Sequence, residues 1–210
     1  MRFHSINLFT VAALGLVAEV QAQNGNSFWL EVKRGIVSFQ AVTNVSAINI
    51  HGQSSAVQGQ ARVHREAAQL VVEEVQAIIK IDTLTTGMSL RDEHMRKNIF
   101  AAGDGKIPDL QFTGGTTNCP LPDGKETVCK YPGKLSIRGV DRPVVLTVKL
   151  KNEGTAESFR ASADATVKLS DYGIERPSQL GVTVADEVKI HLDLFGKAAT
   201  QTVAGRRNDR

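Results

Sequence analysis

The sequence lacks the short motifs that hold a catalytic nucleophile or a phosphate group. It has no Gly-x-Ser-x-Gly segment, which would place a serine on a sharp turn, and no glycine-rich phosphate-binding loop. Aromatic residues are also scarce, at 5% of the chain, and two of the eight phenylalanines, Phe3 and Phe9, lie near its start. These absences favour a binding protein over an enzyme, and they leave few bulky side chains to fill an interior.

Only one stretch of the sequence is long and apolar, and it lies at the start of the chain. Residues 8–18 contain one polar side chain, Thr10; they follow the basic Arg2, and a small residue, Ala22, stands where a signal peptidase would cut. Because the run is too short to span a bilayer as a stable helix, it predicts a secretory signal over residues 1–22. The alternative is an uncleaved membrane anchor. Export by this signal would make the protein periplasmic.

Cysteine is nearly absent: the chain has two, Cys119 and Cys129, in a stretch rich in proline, glycine and aspartate. Their spacing is not Cys-x-x-Cys, no histidine follows as in haem attachment, and no second pair completes a zinc site. In the oxidising compartment that export implies, we expect them to form a disulfide. Such a bond would stabilise the fold by about 3 kcal/mol in the chain-entropy model.

The charge pattern contains no extended surface of one sign. The formal net charge is +3, and basic residues are spread among acidic ones except in the tail over residues 197–210. A nucleic-acid site would need a basic stripe with interleaved aromatic residues, so nucleic acid is not an expected partner. The tail has little apolar content, and we predict that it is flexible and polar.

Most of residues 23–196 alternate between apolar and polar side chains with a period of two, as Ala161, Ser162 and Ala163 do. This alternation predicts β-strands with one buried face. It is clear over residues 56–64, 73–81, 159–169 and 187–195, and weaker over residues 36–42, 47–51, 109–112, 134–137 and 144–151.

Residues 90–100 are the only segment with a clear helical pattern. Ser89 is placed to cap the start of this helix, and Asp92 and Glu93 lie in its first turn, where the helix dipole favours acidic residues. Because helices do not alternate with strands, a parallel α/β sheet is excluded, and the fold class is all-β and antiparallel. Such sequences close into a barrel or stack as a sandwich.

Two of the clearest strands place mainly small residues on their inward face. These are Val57, Gly59, Ala61 and Val63 in one strand, and Ala161, Ala163 and Ala165 in the other. A barrel of about eight strands is just wide enough to be filled by side chains or to hold one small ligand. Small inward residues leave space that leucine or phenylalanine would fill, which predicts an elongated apolar cavity. The alternative is that they match the taper of the barrel or the close approach of the helix.

Four short motifs occur in order along these strands. They read Thr-Gly-Met-Ser-Leu-Arg-Asp-Glu-His-Met over residues 86–95, Lys-Ile-Pro-Asp-Leu-Gln-Phe over residues 106–112, Gly-Lys-Leu-Ser-Ile-Arg-Gly-Val-Asp-Arg-Pro-Val over residues 133–144, and Asp-Tyr-Gly-Ile over residues 171–174. In this order, over about residues 29–195, the chain resembles the YceI-like family.

The resemblance implies an antiparallel, eight-stranded, lipocalin-like β-barrel with one short helix. It further implies a periplasmic binding or carrier protein that holds a long apolar isoprenoid lipid, a polyprenol or a quinone tail, and has no chemistry of its own. No cofactor is expected besides such a bound lipid. Burial would drive binding by about 0.8 kcal/mol per methylene-sized unit, which predicts loose specificity for the head group.

The residues predicted to line the lumen come from four strands and the helix. They are Phe39, Val57, Gly59, Ala61, Val63, His94, Met95, Phe112, Phe159, Ala161, Ala163 and Ala165. No catalytic or metal-binding residue is predicted. Asp92 and His94 are two residues apart, so on a helix they point to nearly opposite sides and do not form a dyad. We expect Arg91 and Asp92 to hydrogen-bond loop backbone where the helix closes the barrel.

Two other functions stay open on the sequence. One is an exported enzyme acting on a lipid or quinone, with Asp92, His94 or Arg138 at the mouth of the barrel. The other is a periplasmic stress-response or interaction module with a filled barrel. The expected partners are an isoprenoid lipid or a quinone, with transient membrane contact, and an exposed barrel edge would permit a homodimer.

Overall fold

The computed structural model describes residues 27–121, 126–152 and 158–199. The predicted signal over residues 1–22 lies outside these ranges, as does most of the predicted tail. Lys197 and Ala198, at the start of that tail, belong to the last strand and pair with the first. Among the described residues, no helix is long and apolar enough to cross a membrane.

Strands make up most of the described chain. They are β1 (Phe28–Thr43), β2 (Asn49–Ser54), β3 (Val57–Glu66), β4 (Gln69–Ile79), β5 (Leu110–Gly114), β6 (Thr117–Pro120), β7 (Thr127–Ile137), β8 (Val140–Asn152), β9 (Ser158–Lys168), β10 (Ser178–Gln179) and β11 (Val182–Ala198). Helix α1 (Ser89–Met95) continues into a π-helical turn over Arg96–Phe100, and single 3-10 turns cover Ile81–Thr83 and Ser170–Tyr172.

Eight of these strands close into an antiparallel barrel. The order around the ring is β1, β3, β4, β5, β7, β8, β9 and β11, and β11 pairs again with β1. Strand β2 extends the line of β3 along the second half of β1, and β6 extends the line of β5 along β4. The predicted all-β, eight-stranded antiparallel barrel with one short helix is confirmed. Closure leaves no free edge in this ring of described strands for a partner strand to pair with. The homodimer itself stays a prediction.

Strand β1 is much longer than the predicted segment over residues 36–42, because a bulge interrupts its alternation. Its pairing with β11 shifts between Val32 and Arg34, which leaves Lys33 as an extra residue. Val32 lines the interior before the bulge, and Val37 does so after it. Inward positions therefore change from even to odd numbers along the strand, and a strict period of two detects only its second half.

The helix differs from the prediction in its length and in its start. It ends at Met95 and passes into the π-helical turn, where a single helix to residue 100 was expected. The prediction that Ser89 caps the helix is wrong, because Met88 occupies the N-cap position and makes no side-chain capping bond. The start of the helix is held instead by the Asp92 carboxylate, which accepts hydrogen bonds from the loop before it.

The two ends of the barrel are built differently. We call one the helix end: it consists of the β1–β2 turn, residues 80–109, the β7–β8 turn and the connection from β9 to β11. The other, the disulfide end, consists of the β3–β4 turn, β6 and the first residues of β7 and β9. There the structure joins Cys119 of β6 to Cys129 of β7 in the expected disulfide, with Cα atoms 5.4 Å apart.

Candidate ligand-binding cavity

The interior of the barrel contains a cavity of about 1620 Å³. Every strand of the eight-stranded ring contributes to its wall, and α1 and the connection from β9 to β11 line it at the helix end. Pockets for drug-sized ligands are typically ~300–1000 Å³, so this cavity is larger than a small molecule requires. Its wall is mainly aliphatic, with members such as Leu30, Leu146 and Leu192. The interior can therefore enclose a long apolar chain.

The structure places all twelve of the predicted lumen residues at the wall of this cavity. Strands β1, β3, β5 and β9 and the helix provide them: Phe39, Val57, Gly59, Ala61, Val63, His94, Met95, Phe112, Phe159, Ala161, Ala163 and Ala165. That these residues contact a ligand stays a prediction. The large aliphatic residues of β8 and β11 were not among the predicted lumen residues, because that prediction rested mainly on strands with unusually small inward side chains.

The small residues of β9 lie beside large aliphatic residues of β11. The register pairs Ala161 with Leu194, Ala163 with Leu192 and Ala165 with Ile190. Gly59 of β3 similarly lies opposite Ala77 of β4. Small side chains therefore leave space inside the barrel along β3 and β9, while the neighbouring strands β4 and β11 keep the wall apolar. This arrangement widens the lumen without exposing a polar surface to it.

Four aromatic rings lie directly over glycines of neighbouring strands. The pairs are Phe39 with Gly52, Phe112 with Gly133, Tyr131 with Gly114, and Phe159 with Gly196. A Cβ atom on any of these glycines would lie 2.2 or 2.3 Å from a ring carbon, closer than two such atoms can approach. The rings thus occupy space that a side chain would otherwise take, and they pack against the wall. The role of these glycines was not predicted from the sequence, since a glycine within a strand does not indicate a covering ring until the strand register is known.

Asp92 fastens the helical segment to the loop that precedes it. Its buried carboxylate accepts hydrogen bonds from the Thr85 hydroxyl at 2.6 Å, from the Thr86 backbone N–H at 2.7 Å and from the Thr86 hydroxyl. Arg91 donates to the Thr86 hydroxyl and to its carbonyl, at 2.8 and 2.9 Å. The expected contacts of Arg91 and Asp92 with loop backbone are therefore present.

The Asp92 environment favours an ionised carboxylate. Burial acts to raise the pKa of this group, but the hydrogen bonds from Thr85 and Thr86, helped by the charge of Arg96, outweigh burial and lower it below the ordinary aspartate value. A carboxylate held in this way accepts hydrogen bonds and has no proton to give near neutral pH. Asp92 is buried while His94 is exposed at the cavity opening, in agreement with their expected opposite orientation.

The Asp-Tyr-Gly-Ile motif over residues 171–174 closes part of the helix end. Tyr172 and Ile174 are buried in the core, and Gly173 between them has a φ of +65°, which glycine adopts without strain. Arg142 donates to the carbonyl of Asp171 at 2.6 Å. The motif is thus a structural turn that directs two large side chains into the barrel.

Within the described ranges, no three histidine, cysteine or acidic residues lie close enough together to hold a metal ion. His64 and His191 each bond a carboxylate instead, Glu73 and Asp164 respectively, with Nδ1 to oxygen distances of 2.7 Å. Both pairs belong to the polar outer surface.

Comparison with curated proteins gives relatives of moderate identity. UPF0312 proteins of Yersinia enterocolitica and Photorhabdus laumondii are each 30% identical, over 131 and 106 residues. The alignments cover 60% and 49% of this chain. They span 64% and 52% of those relatives' own lengths.

Comparison with solved structures gives the same fold at low identity. A polyisoprenoid-binding domain from Saccharophagus degradans, implicated in plant cell wall breakdown, has a TM-score of 0.61 and 14% identity, covering 81% of this chain and 98% of that one. BcnA from Burkholderia cenocepacia has a TM-score of 0.56 and 19% identity, covering 77% and 95%. A family model of the YceI-like domain matches residues 30–195. The chain belongs to the YceI-like family.

Proposed function

We propose that this protein binds a long apolar isoprenoid lipid, a polyprenol or the tail of a quinone, inside its barrel. The observation that carries the proposal is the apolar cavity of about 1620 Å³ within a closed ring of strands. The structural likeness to a polyisoprenoid-binding domain supports the same ligand class. A filled barrel, as in an interaction module, would have no such interior space.

Burial of the lipid chain provides the driving force. Each buried methylene-sized unit contributes about 0.8 kcal/mol, so a few isoprene units suffice for stable binding without a hydrogen bond to the head group. The aliphatic wall, interrupted by alanine and glycine on β3 and β9, offers little to recognise one polar group. We therefore propose broad tolerance for the head group and selection for chain length.

We further propose that the protein carries or stores its ligand and does not transform it. The buried carboxylate of Asp92 does not line the cavity and is already bonded to Thr85 and Thr86. The secretory pattern over residues 1–22 supports export to the periplasm, where the Cys119–Cys129 disulfide would persist. We therefore propose an exported lipid-binding barrel.

Native mass spectrometry is the direct test. The full chain would be expressed with its own leader in an exporting bacterial host and purified without detergent. We expect a discrete mass excess that organic extraction releases as an isoprenoid. A clean apo mass, unchanged after incubation with polyprenols and quinones, would contradict the proposal and favour an interaction module.

Paired substitutions locate the ligand. Gly59→Leu and Ala163→Phe place large side chains in the lumen, and we expect each to reduce the retained lipid at least severalfold. Gln58→Leu and Thr166→Phe make comparable changes at exposed positions of the same strands, so they should retain lipid as the unmodified protein does. Equal retention in all four variants would show that the ligand lies outside the barrel.

A further inference from the structure

Three large apolar side chains are exposed around the opening of the cavity at the helix end. Leu180 is 97% exposed, Leu90 66% and Met88 57%, and all three line the cavity. Single exposed apolar residues are common on any protein surface. Here, however, the other large hydrophobic residues exposed in the described ranges do not line the cavity: Ile36, Val42, Val45, Ile48, Ile78, Ile107, Val128 and Val145. Exposed apolar surface at the cavity is therefore confined to one end.

Leu180 adopts a backbone conformation that is unfavourable for leucine. It forms a two-residue turn with Gly181 between β10 and β11, with φ values of +52° and +78°. Asparagine or glycine suits the first position of such a turn, because a branched side chain at positive φ meets its own backbone. With 97% of its surface exposed, Leu180 gains almost nothing from packing in the folded chain. A strained and exposed apolar residue at an opening indicates a contact outside the chain.

The hairpin that carries Leu180 is held firmly in place. The Asn44 side chain donates to the carbonyl of Gly181 at 3.0 Å and accepts from the backbone N–H of Thr183 at 2.8 Å. The Ser178 and Thr183 hydroxyls lie 2.9 Å apart across the hairpin. Leu180 is thus presented by a fixed turn, so its exposure does not come from a loosely attached loop.

The charged side chains that line the cavity at this end are mostly basic. Arg91, Arg138 and Arg176 line it, with Glu175 as the only carboxylate among the lining residues. Arg91 bonds Thr86 and Arg138 approaches the carbonyl of Gly173 at 3.5 Å, so both interactions leave the positive charges uncancelled. Apolar side chains bordered by arginines are complementary to a bilayer surface that carries anionic phospholipid head groups.

We propose that the helix end docks on bilayers containing anionic phospholipids, with Leu180, Leu90 and Met88 in the interfacial region and the arginines beside phosphate groups. This inference rests on the proposed function, because an isoprenoid chain passes between a bilayer and the lumen without crossing water only if the opening meets the bilayer. The docking surface also defines the end through which the ligand enters.

Vesicle flotation tests the docking surface separately from the lumen. The purified protein would be mixed with isoprenoid-free vesicles of phosphatidylcholine alone, or of phosphatidylcholine and phosphatidylglycerol at about three to one, and the bound fraction measured at low and high salt. We expect binding to the anionic vesicles that weakens as salt increases. Leu180→Asn should reduce the partition coefficient about tenfold, since asparagine tolerates the positive φ but cannot insert. Arg176→Gln should reduce it severalfold and weaken its salt dependence.

Matched controls come from other surfaces. Ala67 of the β3–β4 turn has a φ of +50° at the disulfide end, so Ala67→Asn places asparagine at a positive φ at the opposite end of the barrel. Val145→Asp replaces an exposed apolar residue on the outer wall. Both variants should bind vesicles as the unmodified protein does. Absence of vesicle binding, or equal binding by Leu180→Asn, overturns the docking proposal even if native mass spectrometry finds a bound isoprenoid. Vesicle binding by a protein that never holds an isoprenoid would overturn the carrier proposal and leave the docking surface standing.

Discussion

The disulfide end and the helix end of the barrel are held together by different bonds. At the disulfide end, a covalent bond joins Cys119 to Cys129. In the adjacent wall, the Phe112 and Tyr131 rings pack with their centroids 6.1 Å apart. At the helix end, the closing segment is held by hydrogen bonds to one buried carboxylate, Asp92. A covalent bond persists through local opening of the fold, whereas hydrogen bonds break and re-form. We therefore expect the helix end, which we call the gate, to open locally at a lower free energy than the disulfide end, which we call the base.

The largest expected effect comes from removing the disulfide at the base. Replacing both cysteines by serine should lower the free energy of unfolding by about 3 kcal/mol, because the cross-link no longer restricts the unfolded chain. Urea unfolding followed by far-UV circular dichroism measures this change. If the helix end is the gate, hydrogen exchange of the α1 amides should be altered less than that of β6. Equal acceleration at both ends would contradict the comparison.

Weakening the hydrogen bonds of Asp92 at the gate should lower the free energy of unfolding by somewhat less. Asp92→Asn puts an amide group among donors from Thr85 and Thr86, and we expect it to lower the free energy of unfolding by about 2 kcal/mol. Native-state hydrogen exchange should show the largest change over residues 84–100. Glu93→Gln is the control, because Glu93 forms an exposed pair with Lys97 and loss of this pair should leave the free energy of unfolding nearly unchanged.

The wall between the ends should be sensitive to added volume where a ring covers a glycine. Gly133→Ala would bring a Cβ atom against the Phe112 ring and the Thr113 carbonyl, and we expect a loss of about 1–3 kcal/mol in stability. Gly115→Ala is the matched control, because its Cβ atom would enter open space. The melting temperatures of the two variants, measured by thermal unfolding, test this expectation. A similar melting temperature for both would mean that the ring moves aside freely.

Acid should loosen the gate before the base. The pKa of Asp92 lies below its ordinary value in the folded protein, so its contribution to stability is complete above that ordinary value and is lost as the pH falls through the folded value. The difference in unfolding free energy between the unmodified protein and Asp92→Asn should therefore be largest near neutral pH and shrink below about pH 4. Urea unfolding over a pH series measures it. A difference independent of pH would show that Asp92 acts through packing alone.

The smallest expected change in stability concerns two turns with a non-glycine residue at positive φ, one at each end of the barrel. Leu180→Asn should raise the free energy of unfolding by about 0.5 kcal/mol, because asparagine tolerates positive φ better than leucine. Ala67→Asn should raise it by a similar amount at the disulfide end. The two variants would thus match in stability while only Leu180→Asn loses vesicle binding. A large loss of stability in Leu180→Asn would assign Leu180 a packing role.

Much of the fold was predictable from alternation, and its failures have local causes. The clear strands over residues 56–64 and 159–169 agree with β3 and β9 because neither is interrupted on its inward face. Strand β1 was only half detected because the bulge at Lys33 reverses which residues face inward. The predicted capping role of Ser89 is wrong because Ser89 lies inside the helix and Met88 occupies the N-cap position. The loop before the helix donates its hydrogen bond to the Asp92 carboxylate instead.

The candidate site was predictable in part. Alternation places Gly59, Ala61 and Ala163 on the inward face, and a barrel gives that face a lumen. Alternation carries no information about which residues meet across strands. The position of the Phe112 ring over Gly133 and the grouping of Leu180 with Leu90 therefore could not be predicted from it. These two leucines are 90 positions apart in the sequence and share an opening only because the barrel closes.

The sequence by itself determined the all-β class, the inward faces of the uninterrupted strands and the pairing of its only two cysteines, because these follow from local period and from counting. Tertiary structure decided the rest. Closure of β11 onto β1 set the size of the cavity, the register placed each ring over its glycine, and the fold of residues 80–109 gave Asp92 its partners. Each of these depends on contacts between residues distant in the chain, whose free energy no local pattern expresses.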